Sequence, residues 1–361
     1  MTAHIAHPLP DLLLAFGGIL VRSAGQWPRR RSEIQQLTLP LLYGDLPPPP
    51  ASTCCIDLHA AVVRRLDGAR LLSCRVQTEG RHAFLMRVFV PARPGPFPVI
   101  LNGDGCWHYA SDAVIAAVLA RGYVFAQFNR VEIAPDMAAP ASPTGNRGHV
   151  DYVPALAAWA WGYHRAVDAL LQKDFVDVAR IAIVGHSRGG KAALLAGATD
   201  ERIAVTSANN SGAGGAGCFR WQGSGSETLA EVVATFPHWF GPRLAHYSGR
   251  ESELPFDQHF VKALIAPRAL LTTEALDDHW ANPAGSWLTH RAARAAYALL
   301  GAQDRIAIAF RPGGHDHGMD DWITLLDFCD YVFQTKPRPN RLDVNPFPDL
   351  QQAFIAPVAA R

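Results

Sequence analysis

The feature that most constrains the fold is the stretch 180–191, Arg-Ile-Ala-Ile-Val-Gly-His-Ser-Arg-Gly-Gly-Lys. A short β-branched run at 181–184 ends in Gly185-His186-Ser187-Arg188-Gly189, and the Ala- and Leu-rich run 191–198 then reads as a helix. A chain that passes from strand to helix through one serine turns so tightly that flanking side chains would collide, which accounts for glycine at 185 and 189. The strained turn lifts Ser187 Oγ clear of the sheet, and the NH groups that open the helix converge on the same spot. Gly-x-Ser-x-Gly also occurs in ordinary turns, so the weight lies on the strand before it and the helix after it.

The rest of the chain supplies the sheet that such a turn needs. Runs at 60–65, 71–77 and 83–90 are strand candidates, divided by Asp67-Gly68 and Glu79-Gly80, and form a meander. Beyond Pro94-Gly95-Pro96, strand and helix patterns alternate, the signature of a parallel sheet with crossovers. Strands are expected at 99–101, 123–128, 181–184, 203–207, 269–273 and 306–310. Helices are expected at 110–121, 191–198, 228–235, 289–300 and 323–333, and over 151–175, where Leu156, Trp159, Tyr163, Val167 and Leu170 fall at helical spacing. Residues 1–50 read as loop-rich, closing on the stiff Pro47-Pro48-Pro49-Pro50. The expected organisation is an N-terminal strap, 1–55, packed on a single catalytic unit, 56–361.

With 361 residues, 49% hydrophobic and 18% charged, the chain buries a sizeable core. A net charge of +1 gives no electrostatic footprint for nucleic acid or an anionic membrane. Six cysteines without a C-x-x-C spacing argue against a zinc ribbon or a redox dithiol, and fit reduced thiols. The apolar run 12–21 is too short to span a bilayer and is interrupted by Gly17-Gly18. No Lys or Arg precedes it and no small-residue cleavage site follows. The expectation is a cytoplasmic monomer as the sequence stands, or a secreted or periplasmic one if a leader has been removed ahead of Met1.

A nucleophilic serine needs a base for its proton and an acid that holds the base in the right tautomer. In the α/β-hydrolase order the acid follows a late strand and the histidine follows the last one. Gly313-Gly314-His315-Asp316-His317 lies just after the final strand, so His315 is the expected base and His317 its rival. Asp278 is the expected acid after the strand at 269–273, with Asp277 and Glu274 as fallbacks. Two other patterns carry less. Gly212-x-Gly214-x-x-Gly217 matches a dinucleotide fingerprint in letters, but Cys218-Phe219-Arg220-Trp221 is a poor helix start. His315 and His317 with Asp320 and Asp321 lack the helical spacing or cysteines of a metal site, so neither cofactor nor metal is expected.

Taken together, these residues resemble the glucuronoyl esterases, carbohydrate esterase family 15. The elbow is similar to that family's Gly-Cys/His-Ser-Arg-x-Gly-Lys, and the likeness extends through Trp27 to Ile34, Phe128-Asn129-Arg130, Ile133-Ala134-Pro135-Asp136 and Trp159-Ala160-Trp161-Gly162. It continues through Phe236-Pro237-His238-Trp239-Phe240, Leu254 to His259, Ala266-Pro267-Arg268, Trp280-Ala281-Asn282-Pro283 and Arg311 to Asp316 with Asp321-Trp322. The resemblance implies an α/β-hydrolase three-layer sandwich with a mostly parallel sheet. It implies that Ser187 is the nucleophile and His315 the base, that Arg188 faces the oxyanion, and that Lys191, Trp280, Gln222 and Glu227 contact the sugar.

The departures are specific. Many members carry the acid as a glutamate at the end of the strand after the elbow, where this chain has Asn210, and an amide cannot balance an imidazolium. Some bacterial relatives place it in the later loop, which favours Asp278. Fungal members bridge two cysteines at positions that here read His186 and Gly318. The implied activity is hydrolysis of (4-O-methyl-)glucuronic acid esters through an acyl-enzyme. The alternatives are a carboxylesterase for small acyl or acetyl esters, and a catalytically impaired carbohydrate-binding relative.

Overall fold

The computed structural model describes residues 8–79, 82–106, 110–137, 153–333 and 336–351. In chain order the elements are α1 (Trp27–Leu42), β1 (Thr53–Val63), β2 (Ala69–Thr78), β3 (Ala83–Val90), β4 (Phe97–Asn102), α2 (Asp112–Ala120), β5 (Val124–Phe128) and α3 (Ala155–Leu170). Then follow β6 (Val176–His186), α4 (Arg188–Thr199), β7 (Val205–Asn209), α5 (Leu229–Thr235), α6 (Gln258–Ile265), β8 (Ala269–Ala275), α7 (Pro283–Leu299), β9 (Ile306–Arg311) and α8 (Met319–Val332).

The strands form one sheet in the order β1-β2-β3-β5-β4-β6-β7-β8-β9. The meander β1-β2-β3 and the β3-β5 pair are antiparallel, and from β5 onward every pair is parallel. Successive side chains of a strand point to opposite faces, and the two central strands obey this. Val99 and Leu101 of β4, with Ile181 and Ile183 of β6, enter the core built with α1, α3, α4 and α6. Ile100, Ala182 and Val184 enter the core built with α2 and α8. The sheet is therefore the middle of three layers, as an α/β-hydrolase requires.

Several expectations are corrected. Residues 1–50 contain one long helix that the loop-rich reading did not place, α1, which occupies sixteen of them. Its signal is masked by Pro28, which sits harmlessly at the helix start, and by Pro40 in the last turn. The first strand begins at Thr53 rather than 60, and its outer face is so exposed that no apolar alternation marks it. Helix α6 was not anticipated, and α7 starts at Pro283, not 289, because Asn282 caps it by accepting from Gly285 N at 2.9 Å. The long helix spans Ala155–Leu170 and stops short of 175. Gly80 of the second expected turn, and Asp151 and Tyr152 of that helix, lie outside the described residues. No helix among the described residues is long and apolar enough to cross a membrane.

Candidate active site

Ser187 joins β6 to α4 with φ 55° and ψ −123°, a backbone that side chains rarely adopt. A Cβ on Gly185 would overlap the Gly189 carbonyl, and one on Gly189 would overlap the Asp104 carboxylate. The two glycines of the motif are thus steric requirements of this turn. Asp104 supports the elbow from below, accepting from His186 N at 2.8 Å and pairing with buried Arg130. The elbow is pinned to the neighbouring strand by Ser187 N donating to Asn209 O at 2.8 Å.

Three strand ends bring Ser187, His315 and Asp278 together. His315, in the loop after β9, places Nε2 3.0 Å from Ser187 Oγ. Its Nδ1 lies 2.6 Å from Oδ2 of Asp278, in the turn after β8. Asp278 is buried, and the imidazole is its nearest polar partner; its other oxygen accepts from Ala281 N at 3.4 Å. The ring of His186 packs 4.6 Å from that of His315, and burial holds His186 down to about 4.

The rivals have other employment. His317 stacks on Trp322 at 4.6 Å and does not meet the serine. Asp277 ties the His315 loop, accepting from Gly313 N at 2.9 Å. Glu274 is fully buried inside β8 near Lys262, where burial drives its carboxyl up and the Lys262 ammonium down.

Beside the serine, Arg188 Nη1 donates to Asp136 Oδ2 at 2.5 Å, and its guanidinium lies over the rings of Phe236 and Trp239, 5.3 and 4.9 Å from their centroids. The other Asp136 oxygen accepts from Trp239 Nε1 at 2.7 Å and is 3.2 Å from His238 Nε2. Burial pushes the Asp136 carboxyl up, but the Trp239 and Arg188 hydrogen bonds outweigh it and hold it below the usual range. One turn along α4, Lys191 is buried. Its Nζ donates to the carbonyls of Ser211, at 2.9 Å, and Ala213, and stands 3.6 Å from Glu227 Oε2. Burial lowers the Lys191 ammonium and raises the Glu227 carboxyl. The glycine run that starts at Gly212 curls back on the Gly212 carbonyl and directs main-chain oxygens at this ammonium, the opposite of a phosphate cradle. Trp280 is 50% exposed and its carbonyl accepts from Glu227 N at 3.1 Å, while Gln222 Nε2 donates to Phe219 O at 3.2 Å.

The family model for glucuronyl esterases of fungi matches residues 75–301. The chain is 30% identical to carbohydrate esterase MZ0003 of an unknown prokaryotic organism, covering 90% of this chain and 89% of that one. The chain belongs to the glucuronoyl esterase family. Membership makes it a carboxylic ester hydrolase. A 4-O-methyl-glucuronoyl methylesterase of Podospora anserina is 31% identical over 87% of this esterase, which spans 64% of that protein's length. Among solved structures, a promiscuous esterase of family 15 from a marine bacterial metagenome superposes with a TM-score of 0.80 at 30% identity, covering 90% of this esterase and 97% of that chain. A mutant glucuronoyl esterase from Sporotrichum thermophile, in complex with methyl 4-O-methyl-β-D-glucopyranuronate, gives 0.74 at 25% identity, covering 94% and 92%.

Sequence reasoning missed two parts of this esterase's site. Asp136, His238 and Trp239 lay in motifs quoted for the family likeness but received no role, and only the fold shows that they converge on Arg188. Asn210 is a clamp: at φ 42°, it accepts from Ala275 N at 2.7 Å and donates from Nδ2 to Asp316 O at 3.1 Å. The position thus holds the chain just before Asp278 and just after His315.

Proposed function

We propose that this esterase hydrolyses esters of glucuronic or 4-O-methylglucuronic acid through an acyl-enzyme on Ser187. The observation that carries this reading is the relay from Asp278 to His315 to Ser187, at 2.6 and 3.0 Å. His315 Nε2 takes the serine proton as Oγ attacks the ester carbonyl. Asp278 balances the charge on the imidazolium, which then hands the proton to the departing alcohol. Water repeats the sequence on the acyl-enzyme and releases the uronic acid.

The tetrahedral oxygen is stabilised by amides of the first turn of α4 and by the Arg188 guanidinium. Because Asp136 and the two aromatic rings hold Arg188 beforehand, little reorganisation is needed as charge develops. The Asp136→Asn variant is expected to lower kcat about 10-fold or more with little change in KM, since one oxyanion donor is worth about 100- to 1000-fold. Steady-state kinetics check this, and an unchanged kcat removes Asp136 from the argument.

Lys191 and Glu227 form a buried donor and acceptor suited to neighbouring ring hydroxyls, Trp280 offers a ring face, and Gln222 an amide. Hydrolysis of a benzyl or methyl glucuronate ester, measured beside an aryl acetate, tests the substrate class. The glucuronate is expected to be strongly preferred. Lys191→Met is expected to raise its KM about 10- to 100-fold, the worth of a hydrogen bond to a charged group, while sparing the acetate. Preference for the acetate would make the protein a general carboxylesterase, and sugar binding without turnover would make it an impaired relative. The same reading takes residues 1–55 as a strap on a catalytic unit over 56–361, with Arg31 of α1 donating to Leu264 O at 3.1 Å. It takes the protein as a monomer that uses neither nucleic acid nor membrane as partner.

A further inference from the structure

At the edge of the sheet farthest from β9, strands β1 and β2 carry a cluster that ester hydrolysis does not use. Cys55 and Asp57 lie two residues apart on one face of β1, and Cys74 is the cross-strand partner of Asp57, so all three project to the same side. One ligand atom from each, two sulfurs and a carboxylate oxygen, lies within 4.8 Å of the others. Cys74 Sγ donates to Asp57 Oδ1 at 3.2 Å, and Lys173, between α3 and β6, reaches the same oxygen with Nζ at 2.6 Å.

We propose that Cys55, Cys74 and Asp57 form a site for a thiophilic divalent cation of the zinc type, with water as fourth ligand and Lys173 beside it. Metal–sulfur bonds of about 2.3 Å and metal–oxygen bonds of about 2.1 Å give a tetrahedron with edges of roughly 3.4–3.8 Å, within the span of the three atoms. The charges also balance. Two thiolates and a carboxylate carry three negative charges, which the dication and the Lys173 ammonium neutralise together. Sulfur ligands select against magnesium and calcium. Cys74 is buried, Cys55 half-buried and Asp57 exposed, so the site opens to solvent on one side.

A direct disulfide is the competing use of two nearby thiols, and the strand register disfavours it. Cys55 stands opposite Val76, so Cys55 and Cys74 are diagonal neighbours. Such pairs have Cα atoms about 7–8 Å apart, beyond the roughly 4.4–6.8 Å that a disulfide spans. An intervening cation supplies the missing length. It would clasp the edge strand β1 to β2, with Lys173 tying the clasp to the segment that leads into β6.

The test uses the full chain, reduced and stripped with a chelator, then titrated with Co²⁺ alone and afterwards with Zn²⁺. The expected result is a thiolate-to-cobalt absorption band that saturates at one equivalent and is erased by zinc, together with a melting temperature raised by zinc. Cys55→Ser and Cys74→Ser are expected to abolish the band, and Asp57→Asn to weaken cobalt binding about 10-fold or more, with ester hydrolysis unchanged in each. Cys55 is only half-buried, so Cys55→Ser keeps the test valid if Cys74→Ser fails to fold. Absence of a thiolate band from the parent protein, its survival in Cys55→Ser, or a Cys55–Cys74 disulfide in peptide maps of air-exposed protein would overturn the proposal.

Discussion

Ser187→Ala is expected to reduce ester hydrolysis by about 10⁴- to 10⁶-fold, the range found when a serine nucleophile is removed from a working triad. The fold is expected to survive, because Oγ faces His315 rather than the core, and the elbow's shape is set by Gly185, Gly189 and the Asp104–Arg130 pair beneath it. Hydrolysis of methyl glucuronate and a thermal melt, made on the same preparation, check both halves. Activity within a few fold of the parent would remove the serine from the chemistry. A collapsed melt would show instead that the strained turn depends on the hydroxyl.

Asp278→Asn is the second large effect, expected near 10⁴-fold in kcat. An amide in place of the carboxylate presents an NH₂ group to Nδ1, favours the wrong imidazole tautomer and leaves the imidazolium without a counter-charge. Asp277→Asn is expected to change kcat by only a few fold, because that side chain closes a loop by accepting from Gly313 N. The contrast between these adjacent substitutions is the informative measurement. A silent Asp278→Asn would hand the acid's role to another carboxylate.

Local patterns carried much of this site in the sequence. The elbow is legible because strand, turn and helix are consecutive, and the loops bearing Asp278 and His315 are legible because each follows a strand at a fixed place in the parallel order. Among the carboxylates at and after the end of β8 the sequence favours Asp278 and leaves Asp277 and Glu274 open, since a loop has no period to reveal which of them meets the imidazole. The Arg188 cradle was beyond reach for another reason. Asp136 is 52 residues from Arg188 and 103 from Trp239, so no window contains the set. In the fold, α1 was missed because Pro28 and Pro40 read as breakers, although Pro28 sits in the first turn and Pro40 in the last, and the edge strand β1 because exposure on its outer face removes the alternation that betrays a half-buried strand.

The strand order places Ser187, Asp278 and His315 after β6, β8 and β9, and β7, between the first two, carries none of the three. Its end carries Asn210, whose amide spans the segments bearing the other two members. Being uncharged, this crosspiece keeps the same grip in acid and in alkali. Alignment of the relay is thereby uncoupled from protonation at that position.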